Sequence, residues 1–299
     1  MPKAGLDWLS RNELMTYEEM IRICTLLVSV GIQKIRITGG EPFIRKDMIK
    51  FIASLLKIKG LQQVSITTNG VLTAPLIPEL KKLGVHSLNL SLDTLDPQRF
   101  FAITRRDEFS AVINTLHTAL QYKMNVKLNT VVMEGKNTDD ILLLTELTKE
   151  LPIAVRFIEE MPFNGDGHAF SGLSWNYRRI TEVIKNRYPT LYKLCDAESS
   201  TSLNYAIPGH TGTIGIIPAY TRSFCGTCNR IRLTPEGMIK TCLYGNGTLN
   251  LRDLVRSGSG DKEIENELRV AIAGRAKTGW EAEQNSKKSW QPSMATIGG

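Results

Sequence analysis

The sequence is poor in aromatic residues and has no long apolar run. Phenylalanine, tryptophan and tyrosine make up 7% of the 299 residues, and they form no platform beside basic residues on which nucleic-acid bases could stack. No apolar run approaches the roughly 18 residues of a membrane span. Acidic residues number 30 against 37 basic ones, which gives a net charge of +7. The composition favours a soluble protein and suits an anionic ligand: nucleic acid, acidic lipid or a polyphosphate.

Cysteine is scarce as well. The five cysteines are Cys24, Cys195, Cys225, Cys228 and Cys242. An odd, sparse set in a chain of this length argues against a disulfide framework and for a reducing compartment. Cys24 lies in an amphipathic helical segment, so we expect it in the core.

Segments with strand and helix character alternate over the first half of the chain. The first helix is predicted to begin at a capping box formed by Thr16 and Glu19. Five strands are predicted, at 34–38, 64–67, 87–92, 126–132 and 153–158, with helices between them. Repeated β-α units predict an α/β fold with a parallel sheet, open or closed into a barrel.

The rhythm changes from about residue 164. Glycine, proline and aromatic residues become frequent, and short turns are expected around 208–218. We therefore divide the chain into an α/β core at 1–163 and a C-terminal elaboration at 164–299. The tail after Gly274 is polar and is expected to be flexible.

One cysteine motif carries the strongest signal for a metal. Cys225 and Cys228 are separated by two residues, and Cys242 follows after thirteen more. Three thiolates suggest a catalytic zinc or an iron–sulfur cluster with one open iron, and Cys195 or His210 could complete a fourth position. The alternative is three buried structural cysteines.

Polar and basic residues occur in or just after the predicted strands, where α/β folds place their ligands. Arg36 and Lys127 lie within strands, where a long cation is costly unless it faces a lumen or an anion. Arg230 and Arg232 are expected on one face of a strand, which suits phosphate or purine contacts. Tight loops, helix caps and exposed edge strands explain each of these features separately.

The motifs together resemble a known family. They occur in order as Arg36-Ile-Thr-Gly-Gly-Glu-Pro, Thr67-Thr-Asn-Gly, Asn89-Leu-Ser-Leu-Asp, Arg156-Phe-Ile-Glu-Glu-Met-Pro and Cys225-Gly-Thr-Cys-Asn-Arg-Ile-Arg. With the terminal Gly298-Gly299, the chain is similar to the GTP 3′,8-cyclases of molybdenum-cofactor biosynthesis, and most similar to their animal form. The resemblance implies a partial (β/α) barrel of the radical S-adenosylmethionine type, with a second iron–sulfur site in the C-terminal elaboration. It also implies conversion of GTP to (8S)-3′,8-cyclo-7,8-dihydroguanosine 5′-triphosphate.

The resemblance also implies roles for individual residues. The positions that match S-adenosylmethionine-binding residues are Gly40, Ser91 and Met161. Those that match GTP-binding residues are Arg36, Thr67, Lys127, Arg230 and Arg232. The ligands of a C-terminal [4Fe-4S] cluster correspond to Cys225, Cys228 and Cys242. The Gly298-Gly299 tail is expected to enter the active site and assist catalysis.

One family motif does not occur in the sequence. The family binds its radical-generating cluster with an N-terminal C-x3-C-x2-C, and the last of these cysteines is commonly followed by Met-Pro, the first two residues here. We expect a fragment or internal-start product that lacks the first strand and this second [4Fe-4S] cluster, and that is inactive alone.

Two other functions remain open from the sequence. One is a catalytically silent module that binds GTP or a partner and keeps only the C-terminal cluster. The other is a zinc-containing basic RNA-binding protein, which the scarcity of aromatic residues disfavours. For the cyclase, the resemblance implies an electron donor, a downstream cyclic pyranopterin monophosphate synthase, a homodimer, and the mitochondrial matrix if the animal similarity holds, otherwise the cytoplasm.

Overall fold

The computed structural model describes residues 9–162 and 173–286. Its helices are α1 (Tyr17–Ser29), α2 (Met48–Leu55), α3 (Ile77–Leu83), α4 (Pro97–Thr104), α5 (Phe109–Gln121), α6 (Asp140–Glu150), α7 (Tyr177–Arg187), α8 (Leu251–Arg256), α9 (Asp261–Ala273) and α10 (Gly279–Asn285). Its strands are β1 (Lys34–Ile37), β2 (Gln63–Thr68), β3 (Ser87–Ser91), β4 (Val126–Val132), β5 (Ala154–Glu159), β6 (Tyr192–Lys193), β7 (Leu203–Ala206), β8 (Thr213–Ile217), β9 (Arg232–Leu233), β10 (Met238–Lys240) and β11 (Leu249–Asn250).

The predicted start of the first helix is confirmed. Thr16 caps α1, its hydroxyl accepts from the Glu19 N–H at 3.2 Å, and the Glu19 carboxylate accepts from the Thr16 N–H at 2.7 Å. This reciprocal pair satisfies two backbone donors that the helix itself leaves without partners.

The described residues form two compact units. The first unit contains 9–65 and 229–286, and the second contains 66–162 and 173–228. The first unit therefore draws on both ends of the chain. The predicted division at residue 163 separates two regions of the sequence, whereas each compact unit combines segments that are separate in the sequence. The division therefore stays a prediction.

The core of the first unit joins α1 to the C-terminal elements. Its members come from the segment before α1, from α1 itself, and from β10, α8 and α9, and all are at most 6% exposed: Met15, Ile23, Leu26, Leu27, Ile239, Leu251, Ile264 and Leu268. Cys24 is also buried in α1, as expected, and burial raises the pKa of its thiol to about 12. A thiol with that pKa is a packing group and not a reactive thiolate.

The sheet of the second unit is mostly parallel. Its strands follow the order β2, β3, β4, β5, β8, β7, β6. The pairs β3–β4, β4–β5 and β5–β8 are parallel, and β7 and β6 complete the sheet antiparallel. This arrangement confirms the predicted α/β class with a parallel sheet.

The prediction of short turns at 208–218 is partly wrong. The strand β8 occupies Thr213–Ile217 and pairs with β5. Two glycines in this segment are needed instead because neighbouring parts of the chain pack closely against their backbone. A Cβ on Gly212 would lie 2.3 Å from the Ile153 carbonyl oxygen, and one on Gly215 would lie 2.4 Å from Ser202 Oγ. Both distances are shorter than van der Waals contact allows, so only glycine fits.

Two further expectations about the C-terminal region need correction. Arg230 and Arg232 do not share a strand, because β9 begins at Arg232. The tail after Gly274 contains the helix α10, whose start is capped by Thr278, which accepts from the Glu281 N–H at 3.1 Å. Local capping thus overrides a polar composition that suggested flexibility. In the described ranges, no helix is both long and apolar enough to cross a bilayer.

The β5–β8 pairing predicts a steric effect at Gly212. Changing Gly212→Ala should lower the free energy of unfolding by at least about 2 kcal/mol, because the new methyl group overlaps two backbone carbonyls. Gly260→Ala is the control, since a Cβ there meets open space, and it should cost under about 1 kcal/mol. Urea unfolding measures both. Equal midpoints for the two variants would contradict the pairing.

Candidate functional site

One face of the sheet in the second unit is lined with polar side chains. Residues alternate along β4, where Val126, Leu128 and Thr130 are buried and Lys127 and Asn129 are less so. Because successive side chains point to opposite faces, Lys127 and Asn129 share a face. The helix α5 packs on β4, and α6 and α7 pack on β5. These helices account for the burial of the opposite face.

Strand register extends this polar face across the neighbouring strands. Asn89 pairs with Lys127, and Asn129 pairs with both Ser91 and Arg156. In β2, the same alternation leaves Thr67 on the less buried face. We call the resulting set the polar face: Thr67, Asn89, Ser91, Lys127, Asn129 and Arg156.

Two buried oxygens on the polar face have no hydrogen-bond partner among the described residues. They are Asn89 Oδ1 and Asn129 Oδ1. Buried polar atoms are nearly always satisfied in folded proteins. These acceptors therefore fit a bound polar ligand that donates hydrogen bonds, and they mark the polar face as a candidate binding site.

Because Gly215 has no side chain, it leaves space for the Arg156 side chain on this face. It is the β8 partner of Arg156, and a Cβ at Gly215 would lie 3.1 Å from Arg156 Cγ. Sequence reasoning had identified the motif around Arg156 but not Arg156 itself as a site residue. The signal was a cation at an alternate position of a predicted strand, as at Lys127.

The first unit holds a second group of basic residues. Burial and the neighbouring charge of Arg230 lower the pKa of Arg36, although part of the Arg36 side chain is exposed. Arg232 pairs with Lys240 across β9 and β10. Lys240 is 9% exposed, and its pKa is lowered by burial and then by Arg232, while Cys242 opposes this shift. Like charges gathered in this way favour an anion.

Lys240 is a residue that sequence reasoning missed. Its signal was available, since a lysine two positions before Cys242 in a short β-branched segment is a cation within a strand. The strand β10 is only three residues long, however, and short strands leave little periodicity to detect.

The cysteine motif forms a local turn. Cys225–Thr227 is a single 3₁₀ turn, and the Cys228 N–H donates to the Cys225 carbonyl at 3.3 Å. Both cysteines are half-buried, as is Cys242 just after β10. Across the described ranges, no group of three Cys, His, Asp or Glu side chains is arranged to hold a metal ion. The donor set still suits iron–sulfur chemistry, because soft thiolates select such clusters.

The two suggested fourth ligands are engaged elsewhere in the second unit. His210 Nδ1 lies 2.8 Å from Thr148 Oγ1, and its ring meets Tyr188 edge to face. Cys195 is exposed and its thiol lies 3.9 Å from the Asp196 carbonyl.

The loop after β1 contains the predicted Gly40. Gly39 has φ +146°, a conformation that favours glycine. A Cβ added to either glycine would meet no atom within 4 Å beyond the adjacent residues of the chain. Glu41 ends this loop and its carboxylate accepts from the Phe43 N–H at 3.3 Å. The open backbone at Gly40 suits close approach of a ligand.

Comparison with known proteins identifies the family. Residues 7–148 match the Radical SAM superfamily, and residues 153–280 match the family described as Molybdenum Cofactor Synthesis C. The GTP 3′,8-cyclase, mitochondrial, of Arabidopsis thaliana is 39% identical over 279 residues, covering 91% of this chain and 70% of that protein. The chain belongs to the GTP 3′,8-cyclase family.

One further relative and one solved structure are also similar to this chain. Molybdenum cofactor biosynthesis protein 1 of Homo sapiens is 42% identical over 280 residues, covering 93% of this chain. The chain spans 43% of that protein, less than half its length. Among solved structures, Streptococcus suis SuiB bound to S-adenosylmethionine is 18% identical, covers 62% of this chain and 41% of that one, and has a TM-score of 0.46.

Besides Gly40 and the three cysteines, the site residues expected from the GTP 3′,8-cyclase family fall in three groups. Thr67, Ser91 and Lys127 lie on the polar face, and Met161 follows β5 by two residues. Arg36, Arg230 and Arg232 lie in the basic part of the first unit. Gly298 and Gly299 lie outside the described residues, so their role stays a prediction.

Asp93 is a half-buried carboxylate directly beyond the polar face. It follows β3, and its Oδ1 accepts from the Val131 N–H at 2.8 Å. Burial raises its pKa to about 6, against the lowering effects of that hydrogen bond and of Lys136. Because the folded pKa exceeds the unfolded value, its protonated form stabilises the fold at low pH. That stabilisation is lost as pH rises through about 6.

Replacing Asp93 should remove this pH dependence. The difference in unfolding free energy between the wild type and Asp93→Asn should fall by about 2 kcal/mol between about pH 4.5 and pH 7.5. Asparagine keeps an acceptor for the Val131 N–H and cannot ionise. Taking the difference cancels the titration of all other groups. A difference that is flat with pH would show that Asp93 is ionised throughout this range.

Proposed function

We propose that this chain provides the substrate-binding and S-adenosylmethionine-binding residues of a GTP 3′,8-cyclase. The reaction converts GTP to (8S)-3′,8-cyclo-7,8-dihydroguanosine 5′-triphosphate, an early step towards the molybdenum cofactor. Family membership supports the reaction class. The observation that carries the assignment is the polar face, where buried acceptors and two cations occupy one side of a parallel sheet.

S-adenosylmethionine is assigned to Gly40, Ser91 and Met161. The Radical SAM match supports this cofactor and an iron–sulfur cluster. S-adenosylmethionine together with the reduced radical-generating cluster of the family would supply the radical chemistry at C3′ of the ribose. The protein's part is to orient the cofactor, with the open backbone at Gly40 and the exposed Ser91 hydroxyl available for that.

GTP is assigned to the basic residues and to Thr67. The cations assigned from the family resemblance are Arg36, Lys127, Arg230 and Arg232, and we add Arg156 and Lys240. Guanidinium and ammonium groups bind phosphate oxygens through charge-assisted hydrogen bonds. Burial lowers the pKa values of Arg36 and Lys240 and repulsion from neighbouring arginines adds to this; a triphosphate would offset that repulsion.

Cys225, Cys228 and Cys242 are assigned to one C-terminal [4Fe-4S] cluster. Three thiolates would hold the cluster and leave one of its irons available to bind the guanine of GTP. The half-buried 3₁₀ turn at Cys225–Thr227 supports the proposal, because it places two thiols within one turn of backbone. The Gly298-Gly299 tail is assigned to the same active site.

The remaining assignments concern partners and location. The family resemblance supports a homodimer, an external electron donor and a downstream cyclic pyranopterin monophosphate synthase as partners. A mitochondrial location is supported by the name of the Arabidopsis relative.

The GTP assignment predicts the effect of removing single cations. Lys127→Ala and Arg156→Ala should each weaken GTP binding about tenfold or more, because a charge-assisted contact contributes roughly 1.5–3 kcal/mol. Lys185→Ala is the control, since Lys185 is an exposed lysine of α7 in the same unit. Anaerobic calorimetry measures the dissociation constants. Unchanged binding in both polar-face variants would remove the assignment.

A further inference from the structure

Glu159 is a fully buried carboxylate that accepts four hydrogen bonds. It is the last residue of β5 and is 0% exposed. Its Oε2 accepts from the N–H groups of Tyr220 and Thr221 at 3.0 and 2.7 Å. Its Oε1 accepts from the Thr221 hydroxyl and from the Tyr177 N–H, both at 2.7 Å. All four donors belong to the second unit.

Three of these donors come from the segment that leads into the cysteine turn. The chain leaves β8 at Ile217 and reaches Cys225 eight residues later. Arg222 lies between them with φ +59°, a left-handed conformation that costs energy for a side chain of this size. Its carbonyl accepts from the Cys225 N–H at 3.1 Å. Two hydrogen bonds therefore link the Glu159 carboxylate to the backbone of Cys225. The Thr221 N–H donates to the carboxylate, and the Cys225 N–H donates to the carbonyl of the next residue, Arg222.

We infer that Glu159 is a positioning residue for Cys225 and Cys228, an inference that rests on the proposed cluster at these cysteines. The carboxylate fixes 220–221 to the end of β5. The 3₁₀ turn at Cys225–Thr227 then starts from a fixed point, so both thiols are held in place before a cluster binds. Residues that orient metal ligands in this way commonly change metal affinity by roughly 10- to 100-fold.

The inference specifies a carboxylate and not merely a polar group. Both oxygens of Glu159 accept, and each has two donors. Glutamine has one acceptor oxygen, and its NH₂ group would face two donors. Glu159→Gln therefore leaves buried donors without partners while the shape of the side chain is preserved.

Asp140 provides a matched control. It is also 0% exposed, accepts from the Leu95 N–H at 3.4 Å and forms an ion pair with Arg99. It stands at the start of α6 and holds the segment after β3, which is far from residues 218–228 in the chain. Asp140→Asn thus removes a buried carboxylate of the same unit whose hydrogen bonds serve a different segment.

The experiment compares the wild type with Glu159→Gln, Asp140→Asn and Cys225→Ser after anaerobic reconstitution. It measures iron and sulfide per chain, the rate of iron release to a chelator, and the electron paramagnetic resonance spectrum of the reduced cluster. Urea unfolding reports stability separately. Glu159→Gln should release iron at least about tenfold faster and show an altered spectrum. Asp140→Asn should lose stability but keep the wild-type release rate and spectrum.

The outcomes separate the inference from the function on which it rests. Undiminished iron in Cys225→Ser would overturn the proposed cluster site itself. If Cys225→Ser loses iron but Glu159→Gln matches Asp140→Asn in release rate and spectrum, the positioning role is overturned. Should Glu159→Gln be too unstable to purify, Thr221→Val removes one of the four donors at constant volume. A wild-type release rate in that variant would equally overturn the role.

Discussion

The pleat of the parallel strands is the constraint on which the candidate site depends. The strands β2, β4 and β5 send alternate side chains into a buried layer and onto the polar face. Burying a large apolar side chain stabilises the fold by roughly 1.5–3 kcal/mol, and β3, β4 and β5 supply several of them, including Leu90, Leu128 and Phe157. A slip of one residue would reverse the faces and drive Lys127 and Arg156 into that layer. The cost of burying unpaired charges forbids it, so the apolar residues fix the positions of the polar ones.

The features that could be predicted from the sequence are those that neighbouring residues determine. Thr16 and Glu19 specify a helix start through their own hydrogen bonds, and the length of β4 gives a clear period of two. Arg36 and Lys127 were identified because cations inside strands need an explanation. In each case the information is local, within a few residues of chain.

The features that were missed depend on contacts between distant segments. β8 contains Gly215, where a small residue is needed because Ser202 and Arg156 lie close to it and not because the chain turns. Glu159 and Glu160 are neighbours of the same type, yet the first is fully buried under four donors. The second is half-buried, and burial raises its pKa. Nothing in the local sequence distinguishes them, because the difference arises from distant segments, at Tyr177 and at Tyr220–Thr221, that pack on Glu159 at the end of β5.

The first unit combines segments from both ends of the chain, which affects how the protein folds during synthesis on the ribosome. The apolar face of α1 packs against residues that are made more than 200 positions later, from Ile239 to Leu268. At roughly 5–20 residues per second, α1 waits on the order of 10–50 s for its partners. During that interval Ile23 and Leu27 are available to chaperones, whereas the strands from β3 to β8 can already pair. We expect protease protection of ribosome-bound chains to appear in the second unit before α1. Its simultaneous appearance in both would show that folding waits for the complete chain.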